Sequence, residues 1–369
     1  MKILVVNPIL YTSETAKVKK INTIKDTMIY NICLAFLKAG HEPVLVAASD
    51  YKPVQQEKYD FEVIFFDTKL KKIFKPNCFP LLSGLKRYIK KEAFKYDFII
   101  SSEVFSMSSL YISVLQKQKT IIWHELAKHN NILKKIPSII WYNIIARICF
   151  KDTKIVPRSK NAYDFISKYC NNVSNEYIDH GVNLEEFNLT TKKRKKQFVV
   201  LSQLIKRKRI EGIIDIFSDF VKKISNEYIL YIIGTGDEME NLKEKTKIYG
   251  LEENIIFAGF MTHEEMKPIV GTSQAMIINT EKDNNMVSIV ESISLGTPII
   301  TTNIPYNVDY IKKYKLGVVK EKLEYSDLKE IIDNNSVYVN NCVNYRKKIS
   351  NEYHVKQFIR EYEKIKGGE

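Results

Sequence analysis

Twice along this chain, short apolar runs of strand length alternate with longer stretches of helical periodicity. The first set is KILVV (2–6), PVLVAA (43–48), EVIFF (62–66), DFIIS (97–101), TIIW (120–123) and KIVP (154–157). The second is FVVL (198–201), YILYII (228–233), NIIF (254–257), AMIIN (275–279), PIITT (298–302) and LGVV (316–319). A strand buried on both faces reads as a continuous apolar run, and such runs separated by amphipathic helices build parallel sheets from βα units. Between the first two runs, DTMIYNICLAFLKAG carries the helical pattern and ends at Gly40, a residue suited to a helix C-cap. The repeat predicts an α/β protein with two Rossmann-like doubly wound domains facing a central cleft, since open parallel sheets bind ligands beyond the carboxyl ends of their strands. The polar stretch NLTTKKRKKQ (188–197) reads as the linker. Residues 1–187 then form the first domain and 188–350 the second. A long helical stretch over 339–366 closes the chain, and its part from 351 to 369 is expected to pack back toward the first domain.

Five cysteines (Cys33, Cys78, Cys149, Cys170, Cys342) are scattered with no CxxC spacing, which fits a reducing cytosol and argues against a disulfide framework or a zinc site. MKILVVNPIL is too short an apolar run for a signal peptide and has Pro8 inside it. The longest apolar stretch, 136–150, falls short of the roughly 20 residues a spanning helix needs, and it contains Asn143 and Arg147. No segment is expected to cross a membrane, so the protein is expected in the cytoplasm.

Charge is unevenly placed. Residues 1–180 hold 28 Lys/Arg against 16 Asp/Glu, whereas residues 181–369 hold 29 against 27. A basic first half favours an anionic partner, although a general richness in surface lysine would give the same count. Within it, NNILKKIPSIIWYNIIARICFK (130–151) has two readings. Ile132, Ile136, Ile139, Ile140, Ile144, Ile145 and Trp141 can face lipid while Lys134, Lys135, Arg147 and Lys151 meet head groups, giving peripheral attachment to an anionic inner leaflet. Alternatively the segment is a helix packed on the first sheet. A nucleic-acid partner would also explain the charge, but the lysines are not interleaved with aromatics on a recognisable module, so none is expected.

The stretch EKDNNMVSIVESISLGTPII (281–300) sets carboxylates on either side of small and apolar residues. Eight residues of continuous helix rise about 12 Å, too far for the pair of a retaining glycosidase, whose carboxyls lie about 5 Å apart. A helix starting near Asn285–Met286, after AMIIN, places Asp283 in the preceding loop and Glu291 more than a turn inside the helix. Free N–H groups over 285–288, on Asn285, Met286, Val287 and Ser288, would then suit an anion such as a diphosphate. The plainer reading has Asp283 or Asn284 capping the helix and Glu291 solvated. Glu291 lies among Val290, Ile293 and Leu295, an expensive place for an idle charge.

This stretch resembles the Glu-x-seven-Glu motif of the retaining GT-B glycosyltransferases of the family 4 type. Asp283 holds the first acid position, and Glu291 followed by SISLGTPII the second. The resemblance implies that Glu291 binds the nucleotide ribose hydroxyls and that Asp283 contacts the donor sugar. The first acid is Asp where the family has Glu, the turn NNMVS lacks glycine, and a shifted loop would make Glu281 the first acid. VVLSQLIKRKRIEGIIDIF (199–217) resembles the family's strand, loop and helix that grip the donor diphosphate. Lys208 stands at the Lys position and Gln203 where Arg is usual, with Arg207 or Arg209 as compensation; the KRKR run also reads as a solvated loop. YIIGTGDEMENL (231–242) resembles the family's glycine-rich strand turn at Gly234 and Gly236, and the backbone around Phe257–Phe260 would line a nucleobase pocket.

In the first half, TIIWHE ends a strand with His124 and Glu125, and the resemblance implies a His here facing donor sugar and acceptor. The first loop departs most. It has no glycine, so Thr23, Lys25, Asp26 and Thr27 at the first helix are the polar groups offered to an acceptor, with Glu125 beside them. The glycine pair usual after GTPVV is replaced by NIPYN (303–307). The implied reaction moves a hexose from a UDP- or GDP-sugar to a glycan or undecaprenyl-linked acceptor with retention, in cell-surface polysaccharide synthesis, without metal or other cofactor. The first domain would bind the acceptor and the second the nucleotide sugar. Two rivals remain: a nucleotide-sugar 2-epimerase of the same fold, and a basic nucleic-acid-binding protein.

Overall fold

The computed structural model describes residues 1–11, 18, 21–189 and 193–367, with the backbone but not the side chain of Ile132. Parts of the first loop (12–17, 19–20) and of the expected linker (190–192) lie outside the described residues, and so does the lipid-facing assignment of Ile132. The chain divides into two compact units, Met1–Asn183 together with the chain from Asn351 on, and Leu184–Ser350.

Each of the twelve apolar runs forms a strand. In the first unit these are β1 (Lys2–Val6), β2 (Glu42–Ala48), β3 (Glu62–Phe66), β4 (Phe98–Ser102), β5 (Thr120–His124) and β6 (Lys154–Pro157). They pair in parallel in the order β3-β2-β1-β4-β5-β6. In the second unit β7 (Gln197–Leu201), β8 (Ile229–Ile233), β9 (Ile255–Gly259), β10 (Met276–Ile278), β11 (Ile299–Thr302) and β12 (Gly317–Lys320) take the same arrangement, β9-β8-β7-β10-β11-β12, again all parallel. This is the doubly wound order of a Rossmann sheet, formed twice. The apolar runs are continuous because helices cover both faces: Ile3, Leu4, Val5 and Val6 are all buried, as are Phe198, Val199 and Val200.

Helix α1 (Met28–Lys38) returns from β1 to β2, and Thr27 caps it by accepting from the Tyr30 amide. The second unit carries α2 (Ile210–Lys223), α3 (His263–Thr272) and α4 (Val287–Ser294). The closing helix is shorter than the sequence suggests. Asn335–Tyr345 is one helix, Arg346–Ile349 a 3₁₀ turn, and Ser350 is extended before α5 (Asn351–Gly367) begins. The break falls where the chain changes unit, a turn that an unbroken helix could not make. Helix α5 belongs to the first unit's core. Phe358 packs edge-on to Trp123 at 5.2 Å, Tyr362 stacks on Phe98 at 4.5 Å, and Tyr362 Oη donates to the Asp97 carbonyl at 2.7 Å. Truncating a buried aromatic such as Phe358 costs about 3–5 kcal/mol.

In the described part of the charged stretch before β7, Arg194 is held in place. The Arg194 guanidinium donates to the carbonyls of Gly271 (2.7 Å), Ser273 (3.0 Å) and Gly296 (2.6 Å) and to Thr297 Oγ1 (2.7 Å), all within the second unit. In the 130–151 segment, Trp141 does not face outward. Its indole N–H donates to the Val104 carbonyl at 2.9 Å and its ring meets Phe79 and Phe105, while Ile145 is half-buried. Residues 141–146 form π turns, which widen the helix and turn Trp141, Tyr142 and Ala146 together into the core. Among the described residues no helix is long and apolar enough to cross a membrane.

Candidate functional site

In the second unit, the carboxyl ends of β7 and β10 bring the donor-side residues together. After β7 the chain passes Gln203, whose side chain is exposed, makes a 3₁₀ turn at Lys206–Lys208, and enters α2 through Arg209 in the left-handed region (φ 48°). After β10 it runs through Thr280–Asp283 to α4. These two loops are tied together by backbone and side chain. The Glu281 amide donates to the Arg207 carbonyl at 2.9 Å, and the Arg207 guanidinium reaches the Lys282 carbonyl.

Asp283 is the acid embedded at this junction. Its Oδ2 accepts from Lys208 Nζ at 2.6 Å and from Thr280 Oγ1 at 2.9 Å, and lies 3.2 Å from Arg207. Lys208 and Asp283 are both largely buried, so their pairing is weakly screened. Glu281 is mostly exposed and only 3.9 Å from Arg209, a loose surface contact. A small pocket opens beside Lys208, lined also by Ser202, Asn279, Thr280 and Met286.

Helix α4 starts at Val287, with Met286 as an extended N-cap and no side-chain cap, so neither Asp283 nor Asn284 plays that part. The expected row of free amides over 285–288 is shorter than the sequence suggests, because the Met286 N–H donates to Asn307 Oδ1. The Asn284 carbonyl accepts from Tyr306 N at 3.3 Å. The NIPYN segment that replaces a glycine pair thus braces the loop before α4. The amides of Val287 and Ser288 have no acceptor among the described residues, and Asn285 is buried.

Glu291 sits in the second turn of α4 and is buried, so it is not a solvated side chain. Its Oε1 lies 3.1 Å from His263 Nε2, a partner the sequence reading missed. His263 is the first residue of α3, fixed there by a capping box in which Thr262 and Glu265 satisfy each other's backbone groups. The Thr-x-x-Glu spacing would have placed the helix start, but nothing in the sequence joins it to Glu291.

Gly234 and Gly236 serve loop packing. A Cβ on Gly234 (φ 138°) would fall 1.8 Å from the Ser202 carbonyl oxygen, and one on Gly236 would fall 2.2 Å from that of Leu204. The 234–236 turn therefore lies directly against the loop leading to Lys208, held by Leu204 N donating to the Thr235 carbonyl at 2.9 Å. Phe260, one residue beyond β9, is 78% exposed.

In the first unit, His124 ends β5 with its ring fully buried beside Phe165 and Tyr142, which removes it from direct contact with a sugar as the chain stands. Its Nδ1 lies 3.0 Å from Glu103 Oε2. Glu103 itself sits in the left-handed region (φ 67°), and its Oε1 accepts from the Glu125 amide at 2.7 Å. Burial alone would raise the Glu103 carboxyl, but His124 and Arg158 outweigh it and hold the group below the usual carboxylate range. Glu125 pairs with the buried Arg158 at 3.0 Å, and Arg158 lies over the Trp123 ring at 3.8 Å. Of the acceptor-side candidates, Thr27 is the cap of α1 and also donates to the Ile24 carbonyl at 2.6 Å. Lys25 meets Asp60 at 3.5 Å, and Asp26 precedes the cap. No group of three or more His, Cys, Asp or Glu side chains that could hold a metal ion occurs among the described residues.

Residues 183–352 match the family described as Glycosyl transferases group 1. The chain is 22% identical over 305 residues to the alpha-monoglucosyldiacylglycerol synthase of Streptococcus pneumoniae, covering 76% of this chain and 68% of that one. It is 24% identical over 272 residues to the O-antigen biosynthesis glycosyltransferase WclY of Escherichia coli, covering 67% and 73%. Among solved structures it is similar to HepE of Anabaena in complex with UDP, with a TM-score of 0.70, 12% identity and coverage of 98% and 99%.

Proposed function

We propose that this chain, a glycosyltransferase of GT-B fold whose residues 183–352 belong to the group 1 glycosyl transferases, moves a hexose from a UDP- or GDP-sugar to a glycan or lipid-linked acceptor with retention of configuration. The observation that carries this reading is the meeting of Lys208, Arg207 and Asp283 beside the start of α4, with Glu291 one turn further in. In the reaction the bond from the anomeric carbon to the diphosphate breaks, a bond to the acceptor oxygen forms, and the acceptor's proton goes to the departing phosphate. Negative charge grows on the leaving group, so the work is electrostatic stabilisation and positioning.

Lys208 and Arg207 supply two cations, and the amides of Val287 and Ser288 add the positive end of α4. That charge suits a diphosphate without a metal ion. Asp283 holds both cations in place until phosphate oxygens take them over, and then faces the sugar. Glu291, oriented by His263, accepts from the ribose hydroxyls, while Phe260 offers a face to the base. The synthase and O-antigen relatives support a role in glycolipid or surface-glycan synthesis, and the HepE complex with UDP supports a nucleotide-sugar donor.

A panel of UDP- and GDP-sugars, read by acceptor-dependent release of nucleoside diphosphate, tests the reading. Asp283→Ala and Glu291→Ala are each expected to lower transfer by about a hundredfold or more while the protein stays folded. Full activity in both variants would overturn the site.

A further inference from the structure

We propose that one face of the first unit docks on an anionic lipid bilayer. Along the helical stretch 136–149, Ile136, Ile140, Ile144 and Ile148 are 57%, 52%, 52% and 72% exposed. Residues four apart share a helix face. The π turns at Trp141–Ala146 take more residues per turn, which keeps this four-residue series in line rather than drifting round the axis. Leu133, at the entry to the helix, is 75% exposed. The same stretch buries Trp141, Tyr142 and Ala146 on its other side, so the outward isoleucines are a second apolar face and not a displaced core.

A neighbouring segment continues the face. Phe79 meets Trp141 at 5.4 Å and Phe74 stacks on Phe79 at 5.8 Å, which fastens the 69–79 loop beside the helix. In that loop Leu70 and Ile73 are 63% and 72% exposed. Both segments are basic: KLKKIFK (69–75) carries four lysines, the 134–151 stretch adds Lys134, Lys135, Arg147 and Lys151, and neither contains an acidic residue. Lys71 pairs with Asp50 at 2.7 Å, outside the two segments.

Exposed Ile and Leu ringed by Lys and Arg match the acyl boundary and anionic head groups of a bilayer. The two segments carry eight basic side chains and no carboxylate of their own, a balance that suits an anionic lipid surface. The lysines attract, and the isoleucines bury. This surface involves no residue of the donor site, and its test uses no nucleotide sugar, so the two readings fail separately.

The test is flotation of the full chain with vesicles of phosphatidylcholine alone or with 30% phosphatidylglycerol (about that fraction gives a strongly anionic surface), at low and high salt. Binding is expected on the anionic vesicles, weakened by salt. The double variant Ile140→Asp/Ile144→Asp changes only exposed side chains; with unchanged melting it is expected to lose binding by about tenfold or more. Lys72→Glu/Lys75→Glu on the neighbouring loop is expected to remove most of the salt-sensitive part. Absence of binding at low salt, or wild-type binding by both variants, would overturn the proposal. So would a concentration-dependent dimer in lipid-free light scattering that Ile140→Asp/Ile144→Asp dissolves, since the face would then cover a second copy.

Discussion

Lys208 and Arg207 converge on a single oxygen of Asp283, which Thr280 also reaches. A carboxylate so placed competes with any phosphate for the same two cations. Asp283→Asn keeps the shape and removes the charge, so it is expected to tighten binding of free UDP or GDP about three- to tenfold even as transfer falls; Lys208→Ala should weaken it about tenfold. Titration calorimetry separates the two, and weaker nucleotide binding by Asp283→Asn would show that the acid does not compete. The sequence left Glu281 and Asp283 open as first acid because spacing along a loop does not reveal which side chain turns toward the cations. In the structure Asp283 is the acid buried beside Lys208, with Glu281 60% exposed. Glu103 and His263 were not legible at all. Each acts through a partner distant in sequence (His124 and Glu291), and a lone carboxylate or imidazole carries no motif.

At the scale of elements, the twelve strands were legible because burial on both faces demands unbroken apolar runs, whereas the helix ends depended on contacts no local pattern encodes. Arg194 is the clearest case. In sequence it belongs to a charged run, yet it binds the carboxyl-terminal ends of both α3 and α4, the helices that begin with His263 and carry Glu291. A cation at two helix C-termini is favourable in itself, and its hydrogen bonds fix the ends of the two elements relative to each other. Burial pushes the Arg194 guanidinium down to about 10, which still leaves it charged at neutral pH. Arg194→Met leaves three buried carbonyls and a hydroxyl without their donor and is expected to cost the second unit about 3–5 kcal/mol. Urea unfolding followed by circular dichroism checks this. A loss below about 1 kcal/mol would mean that water replaces the guanidinium without penalty.

For the whole molecule, the notable feature is that the first unit is built from two separate parts of the chain, which meet where the chain leaves it and returns. The Asn351 amide donates to the Val182 carbonyl at 2.9 Å, and a Cβ on Gly181 would fall 2.3 Å from Asn351 Oδ1 and 2.7 Å from His354 Nδ1. His180 lies buried at this junction. Burial first, and then the facing charges of Arg158 and His354, lower it from 6.5 to about 3. Above pH 6.5 the ring is neutral in both folded and unfolded chains and has no effect on stability. Between 6.5 and 3 the unfolded chain takes up a proton that the folded chain refuses, so stability falls with pH by up to about 1.4 kcal/mol per unit. Both tryptophans, Trp123 and Trp141, belong to the first unit, so their fluorescence reports its unfolding selectively. From pH 7.5 to 5.5 the wild type should lose about 1.4 kcal/mol through His180, and His180→Gln, though less stable at pH 7.5, should show a flatter slope by that amount. His41 and His129 are lowered too, chiefly by burial, so both proteins retain a common residual slope. Equal slopes in the two proteins would show that the junction accepts the proton on His180, and that the two parts of the first unit are held together without excluding charge between them.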